Sequence, residues 1–287
     1  MDLYEEHINR SKALIDKSTF KHLMELNFKY SWLQSKPDAL YELWMMADND
    51  EQHDLLDLLL SNFVIIDSEA LSEASSIMAN QICSSWGLVP EHTIVAAICD
   101  TNNPDGSQFI LQSMKNKFPL QWKSRCFTNS FLPGLHSLSN DSILVLVDDF
   151  IGTGNTVKRK VRYAFDFLKN SGFDNVPVYV IALSAMRFSE TILSGLGVEY
   201  YSVYWLNRGI TEVTEEPLRS RYVSAMKEME AKLRQRINGN KLPSLGYQQS
   251  EALLSICDIN VPNNVFPIFW WPQYKGGYPR DTLFKRI

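Results

Sequence analysis

Leu144-Val145-Leu146-Val147-Asp148-Asp149-Phe150-Ile151-Gly152-Thr153-Gly154-Asn155-Thr156 is the stretch on which both fold and chemistry turn. Ile143–Val147 is a continuous apolar run, the pattern of a strand covered on both faces. Two adjacent carboxylates end it, and a turn of small residues then opens a helix. Val157, Val161, Ala164, Phe165 and Leu168 recur at three- and four-residue steps, and Asn170-Ser171-Gly172 reads as the C-terminal stop. In an open α/β sheet, ligands bind beyond the carboxyl ends of the strands. Gly152 and Gly154 allow unusual backbone angles and close approach of a ligand. The N–H groups of Thr153, Gly154, Asn155, Thr156 and Val157, at a helix N-terminus, form an anion site, to which the Thr153 and Thr156 hydroxyls add hydrogen bonds. Asp148 and Asp149 repel that anion but accept hydrogen bonds from a neutral diol beside it. A phosphate beside a diol describes ribose 5-phosphate.

Two other readings compete. An ATPase loop requires Lys-Ser/Thr after its last glycine, and Asn155-Thr156 stands there instead. An acidic helix cap needs one Asp; it does not call for two acids, two glycines and two threonines in register after an apolar strand.

Outward from this stretch, Thr93–Ile98 and Val176–Leu183 read as further buried strands, the latter with Pro177 at its edge, and Val198–Trp205 as a fourth. Strand–helix–strand at this spacing predicts right-handed crossovers and a parallel α/β sheet flanked by helices. Residues 1–85 read as helical, without a strand pattern: Glu51–Phe63 is rich in Leu, and Ile77, Met78, Ile82 and Trp86 fall at helical spacing. Thr214–Ile237 reads as a charged amphipathic helix with Met226, Met229 and Leu233 as its apolar stripe, followed by an aromatic-rich tail. The expected division is a helical annexe at 1–87, a core at 88–212 and a C-terminal extension at 213–287 packing on that core.

Composition narrows the partners. The 287 residues are 45% hydrophobic and 21% charged, with a formal charge of −5. That balance offers no global attraction to nucleic acid or to an anionic membrane, so nucleic acid is expected only indirectly. Cys83, Cys99, Cys126 and Cys257 form no CxxC pair and have no His at metal-ligand spacing, so no protein-held metal is expected. The N-terminus MDLYEEHINR lacks a signal-peptide core and no apolar run approaches the length of a membrane span, which predicts a cytoplasmic location.

The quoted stretch resembles the signature by which type I phosphoribosyltransferases bind phosphoribosyl pyrophosphate (PRPP): four apolar residues, two acids, two variable residues, a small residue, Thr, Gly, any residue, Thr. The resemblance implies a type I phosphoribosyltransferase-like fold. Asp148 and Asp149 would hold the ribose 2- and 3-hydroxyls as the catalytic pair, and Gly152–Thr156 the 5-phosphate. Hypoxanthine–guanine enzymes carry Asp where this chain has Gly152, which argues against that subclass. The family's pyrophosphate loop would correspond to Asp100–Ser107, with Asp105, Gly106 and Ser107 as contacts, and Mg²⁺ would arrive bound to the pyrophosphate. Lys115–Arg125, with Lys117 and Lys123, is a candidate hood over it. Trp205, Asn207 and Arg208 would face the base, with Arg187 a similar case. Together with SLGY at Ser244–Tyr247 and NNVFPIFWW at Asn263–Trp271, the loop also resembles a phosphoribosyltransferase-like family of bacterial conflict and antiphage systems. That likeness implies an effector whose partners include an ATPase or a retron-type reverse transcriptase. A non-catalytic subunit sensing PRPP or a nucleotide is the alternative. Trp270 and Trp271, if exposed together, would mark a partner site.

Overall fold

The structure, a computed structural model, describes residues 16–100, 105–173 and 175–286. The N-terminal residues 1–15 of the expected annexe, and Thr101–Pro104 of the expected pyrophosphate loop, lie outside the described residues. Contacts divide the chain into two units: residues up to Ile65 with Arg208–Ile256 and the chain from Asn260, and Ile66–Asn207 with Cys257–Ile259. The helix Ser68–Asn80, which sequence grouped with the annexe, thus belongs with the sheet.

The sheet unit holds five parallel strands: β1 (Thr93–Ala97), β2 (Phe127–Thr128), β3 (Ile143–Ile151), β4 (Val178–Met186) and β5 (Glu199–Leu206). Their order is β2-β1-β3-β4-β5, a doubly wound arrangement whose direction reverses between β1 and β3. Register follows the apolar runs: Ile94 pairs with Leu144, Leu146 with Val180, and Ile181 with Tyr201. The edge strand β2 escapes sequence reading because two residues carry no periodicity. β3 runs four residues beyond the apolar run, since Asp148, Phe150 and Ile151 still pair with Ala182, Ser184 and Ala185.

Helices cover both faces. α1 (Ser68–Asn80) and α2 (Gly106–Lys115) pack on each other and on β4 and β3 respectively. α3 (Phe131–His136), α4 (Asn155–Asn170) and α5 (Glu190–Ser194) contribute to one core with Leu144, Leu146, Val180 and Ala182. Val157, Val161, Ala164 and Leu168 of α4 are buried there as their spacing predicts, but Phe165 is 39% exposed. It stands one position past Ala164, which turns it about 100° from the apolar stripe. Ile77 likewise faces outward on α1.

The other unit contains helices Lys17–Lys29, Pro37–Trp44, Asp50–Ser61 and Leu218–Glu230. Capping sets two starts: Asp16 Oδ1 accepts from the Ser18 and Thr19 N–H groups, and Asn49 Oδ1 from Gln52. The expected helix Thr214–Ile237 is shorter at both ends, beginning after Pro217 and giving way to a hairpin, Arg236–Ile237 with Asn240–Lys241. A short strand, Val64–Ile66, also departs from the all-helical expectation; three β-branched residues follow the helix stop at Asn62, and the Val64 N–H donates to the Leu253 carbonyl.

NNVFPIFWW is largely core, whereas SLGY buries Leu245 and Gly246 and exposes Ser244 and Tyr247. Trp270 and Trp271 are buried, their indole N–H groups donating to the Val265 and Arg234 carbonyls at 2.9 and 2.8 Å. The conditional partner site at these tryptophans therefore does not arise. SLGY and NNVF meet directly: the Tyr247 N–H donates to the Asn263 carbonyl, and Gly246 takes φ +78° with the Asn264 carbonyl where a Cβ would be, 1.9 Å away. Phe63 stacks on Phe284 and meets Phe269 edge-on. Among the described residues no helix is long and apolar enough to cross a membrane.

Candidate functional site

The site is built where β3 leaves the sheet. Asp148 sits within the β3–β4 ladder at 7% exposure, and its Oδ1 accepts the Asp149 N–H at 3.0 Å. Ser184 on β4 donates its hydroxyl to the Asp149 carbonyl at 2.9 Å, which ties the backbone of the acidic pair to the neighbouring strand. The Asp149 side chain reaches α2. A Cβ on Gly106 would stand 2.2 Å from Asp149 Oδ2, so the first residue of that helix must be glycine for this carboxylate to lie there.

Three carboxylates converge. Asp105 caps α2, its Oδ1 accepting from the Ser107 N–H and hydroxyl. Burial pushes the Asp148 carboxyl well above the usual carboxylate range, and the neighbouring Asp149 charge adds to it. Burial, then the Asp105 charge, raise Asp149 to about 6. The structure thus brings Asp105, Gly106 and Ser107 to the acidic pair, two segments that the resemblance sets around one ligand.

The following turn is shaped for an anion. Gly154 takes φ +77° and ψ −6° at the N-cap of α4, and no side chain caps that helix. Only this second glycine of the turn is left-handed; Ile192 lies 3.3 Å from where its Cβ would be. The contrast with α1 and α2, capped by Asp67 and Asp105, is physical: α4 has neither a capping carboxylate nor an acid in its first turn. Its first intrahelical bond is Lys158 N–H to the Gly154 carbonyl, so the N–H groups before it have no intrahelical partner. A helix start in this state attracts anions.

Lys160 was missed by sequence reading. It is buried on α4, its ammonium pairing with Asp100 at the end of β1 and lying 4.5 Å from the Phe131 ring centroid. Its spacing of three from Val157 could have placed it on the inner face; its charge argued otherwise.

Other expected residues fall elsewhere. Arg208 belongs to the other unit, where its N–H donates to Glu212 Oε2. Trp205, near the end of β5, has the Arg187 guanidinium 5.9 Å from its ring centroid. The candidate hood does not lie over the acidic pair. Lys115–Arg125 leads into β2, and so runs to the N-terminal edge of a parallel sheet, opposite the end where β3 delivers its acids. There Phe118 and Trp122 are buried against Phe127, and Lys117 donates to the Ser72 hydroxyl.

A protein-family model described as PRTase-CE matches residues 42–286. No curated protein matches the chain. Solved structures similar to it include a hypothetical protein from Neisseria gonorrhoeae with bound ppGpp (12% identity, 50% of this chain, 85% of that one, TM-score 0.33). An orotate phosphoribosyltransferase from Aeropyrum pernix aligns at 16% identity over 46% of this chain and 70% of its own, with TM-score 0.30. A hypoxanthine-guanine phosphoribosyltransferase from Schistosoma mansoni in complex with IMP aligns at 15% identity, 50% and 65% coverage, and TM-score 0.31. The parallel strand order β2-β1-β3-β4-β5 and its register define the fold.

Proposed function

The chain belongs to the PRTase-CE family, and on that premise we propose that it binds PRPP or a ribose-5-phosphate nucleotide at Asp148–Thr156. The observation that carries this reading is the start of α4 at Gly154, which no side chain caps, following closely on the buried Asp148 and its half-buried neighbour Asp149. The 5-phosphate would take the N–H groups of Thr153–Val157, and the ribose hydroxyls the carboxyls of Asp148 and Asp149. Asp105 and Ser107 would lie on the pyrophosphate side.

The donor set suits a divalent cation carried by the pyrophosphate. Asp105 raises Asp149 by repulsion, and a cation beside Asp105 and Asp149 would relieve it. Among the described residues no cluster of His, Cys, Asp and Glu would hold a metal unaided. When bound, Mg²⁺ would neutralise charge on the departing pyrophosphate. The residues themselves would orient C1 of the ribose for displacement and act through its hydroxyls, supporting a transition state with oxocarbenium character. The sequence resemblance further supports a cytoplasmic effector of a bacterial antiphage system, with an ATPase or reverse transcriptase as partner.

One observation favours a second reading, a non-catalytic subunit that senses the same ligand. The expected hood is packed at the far edge of the sheet and does not screen the loop from water.

Calorimetry with PRPP and Mg²⁺ tests the binding claim. Wild type should bind, and Asp148→Asn with Asp149→Asn should weaken binding at least tenfold; a wild type that gives no heat with Mg²⁺–PRPP ends the proposal. Release of pyrophosphate when nucleobases or nucleic acid are offered separates the enzyme from the sensor.

A further inference from the structure

We propose that the outer face of α4 binds single-stranded nucleic acid directly. This goes beyond the ribose reading and does not depend on it. Asn155, Lys158, Arg159, Arg162, Tyr163 and Asp166 line an open groove of about 420 Å³ along the helix. Their spacing of three and four residues puts them on one face, opposite the buried Val157, Val161 and Ala164.

Charge on this face is not neutralised internally. Lys158, Arg159 and Arg162 make no ion pair or side-chain hydrogen bond among the described residues, whereas Lys160 on the inner face is paired with Asp100. The three cations follow one another along this face over little more than one turn of α4, and no acid shares its first turn. Asp166, at the far end of the groove, is its one acid, available to base amino groups.

The groove fits a strand better than a lone anion or a bilayer. Arg159 and Arg162, about one turn apart, distribute charge along a path rather than converging on one phosphate. Tyr163 is 50% exposed and meets Phe131 at 62°, which leaves its ring available for a base. Cations tracking a backbone beside a stacking aromatic is the arrangement by which single strands are held. A bilayer surface is broad and offers no base to stack. Asn155 belongs both to the groove and to the ribose loop, so a strand lying here passes beside that loop.

Fluorescence anisotropy with a short labelled oligothymidylate tests this on the full chain. Wild type should bind in a salt-dependent way. K158Q/R159Q/R162Q should weaken binding at least about tenfold and flatten the slope of log affinity against log salt by about 2, since each contact contributes about 0.7. Tyr163→Ala should cost about fivefold or more through lost stacking. All four residues are at least partly exposed, so melting temperatures should be preserved; were the triple variant to fold poorly, Arg162→Glu alone gives the same readout. Asp148→Asn with Asp149→Asn should keep oligonucleotide binding, so failure here and failure of the PRPP reading remain distinct. Absence of salt-dependent binding by wild type, or wild-type affinity in the charge variants, overturns the proposal. Equal displacement by inorganic polyphosphate with no effect of Tyr163→Ala overturns the strand in favour of a general polyanion.

Discussion

At the residue scale, Gly106 and Asp149 illustrate how two distant positions become one requirement. Asp149 lies where the Gly106 Cβ would be, so Gly106→Ala must move the carboxylate while leaving a helix start that tolerates Ala. PRPP affinity should fall about tenfold or more, a loss of about 1.4 kcal/mol per factor of ten, with a melting temperature close to wild type. Calorimetry beside a thermal melt reads both; undiminished affinity would detach Gly106 from the site. Asp149 was legible as a candidate because an apolar run points at it. Gly106 was legible as a pyrophosphate contact only through the family resemblance, and its approach to Asp149 was not legible at all, since the two stand 43 positions apart in the sequence.

At the element scale, α4 carries both proposed sites, one at its start and one along its outer face. Its start is bare of capping side chains, and its outer face carries Lys158, Arg159 and Arg162. The left-handed Gly154 makes the first possible. Gly154→Ala should cost about 1–2 kcal/mol of stability, because an L-residue resists that conformation, and Ile192 at 3.3 Å leaves little room to relax. Denaturant unfolding checks the loss, and ligand binding should fall in parallel. A variant as stable as wild type would mean that the turn can take another conformation. The inner stripe of α4 was legible from its periodicity, except at Lys160 and Phe165, where burial and exposure run against side-chain type. The hood expectation failed for a topological reason: its chain feeds the start of a parallel strand, and the direction of that strand was not visible before β2 was placed.

At the scale of the whole molecule, buried acids in both units act on stability with the same sign. Glu230, buried and accepting from the Ser244 hydroxyl and the Leu245 N–H, is pushed up to about 7 by burial. Asp149 in the sheet unit is raised to about 6. In each case the folded state keeps a proton that the unfolded chain has released, so stability is full at low pH and falls as pH rises through this window. For Glu230 the loss runs from about 4.5 to about 7. Glu230→Gln removes that dependence. Its melting temperature relative to wild type should therefore be higher at pH 8 than at pH 5; an identical difference at the two pH values would show that Glu230 is not raised.

Local pattern alone determined the parallel α/β sheet, the acidic pair at the end of its central apolar strand, and the turn that follows. Each depends on neighbours within a few residues: continuous apolar runs for doubly covered strands, three- and four-residue steps for α4, two glycines for the turn. Tertiary structure decided what long-range contact alone can set. It put Gly106 beneath Asp149, paired Lys160 with Asp100, buried Trp270 and Trp271, assigned Arg208 to a different unit from the loop, and left three cations of α4 unpaired along an open groove. A residue's type and spacing state what it prefers; which preference prevails depends on the groups that folding places against it.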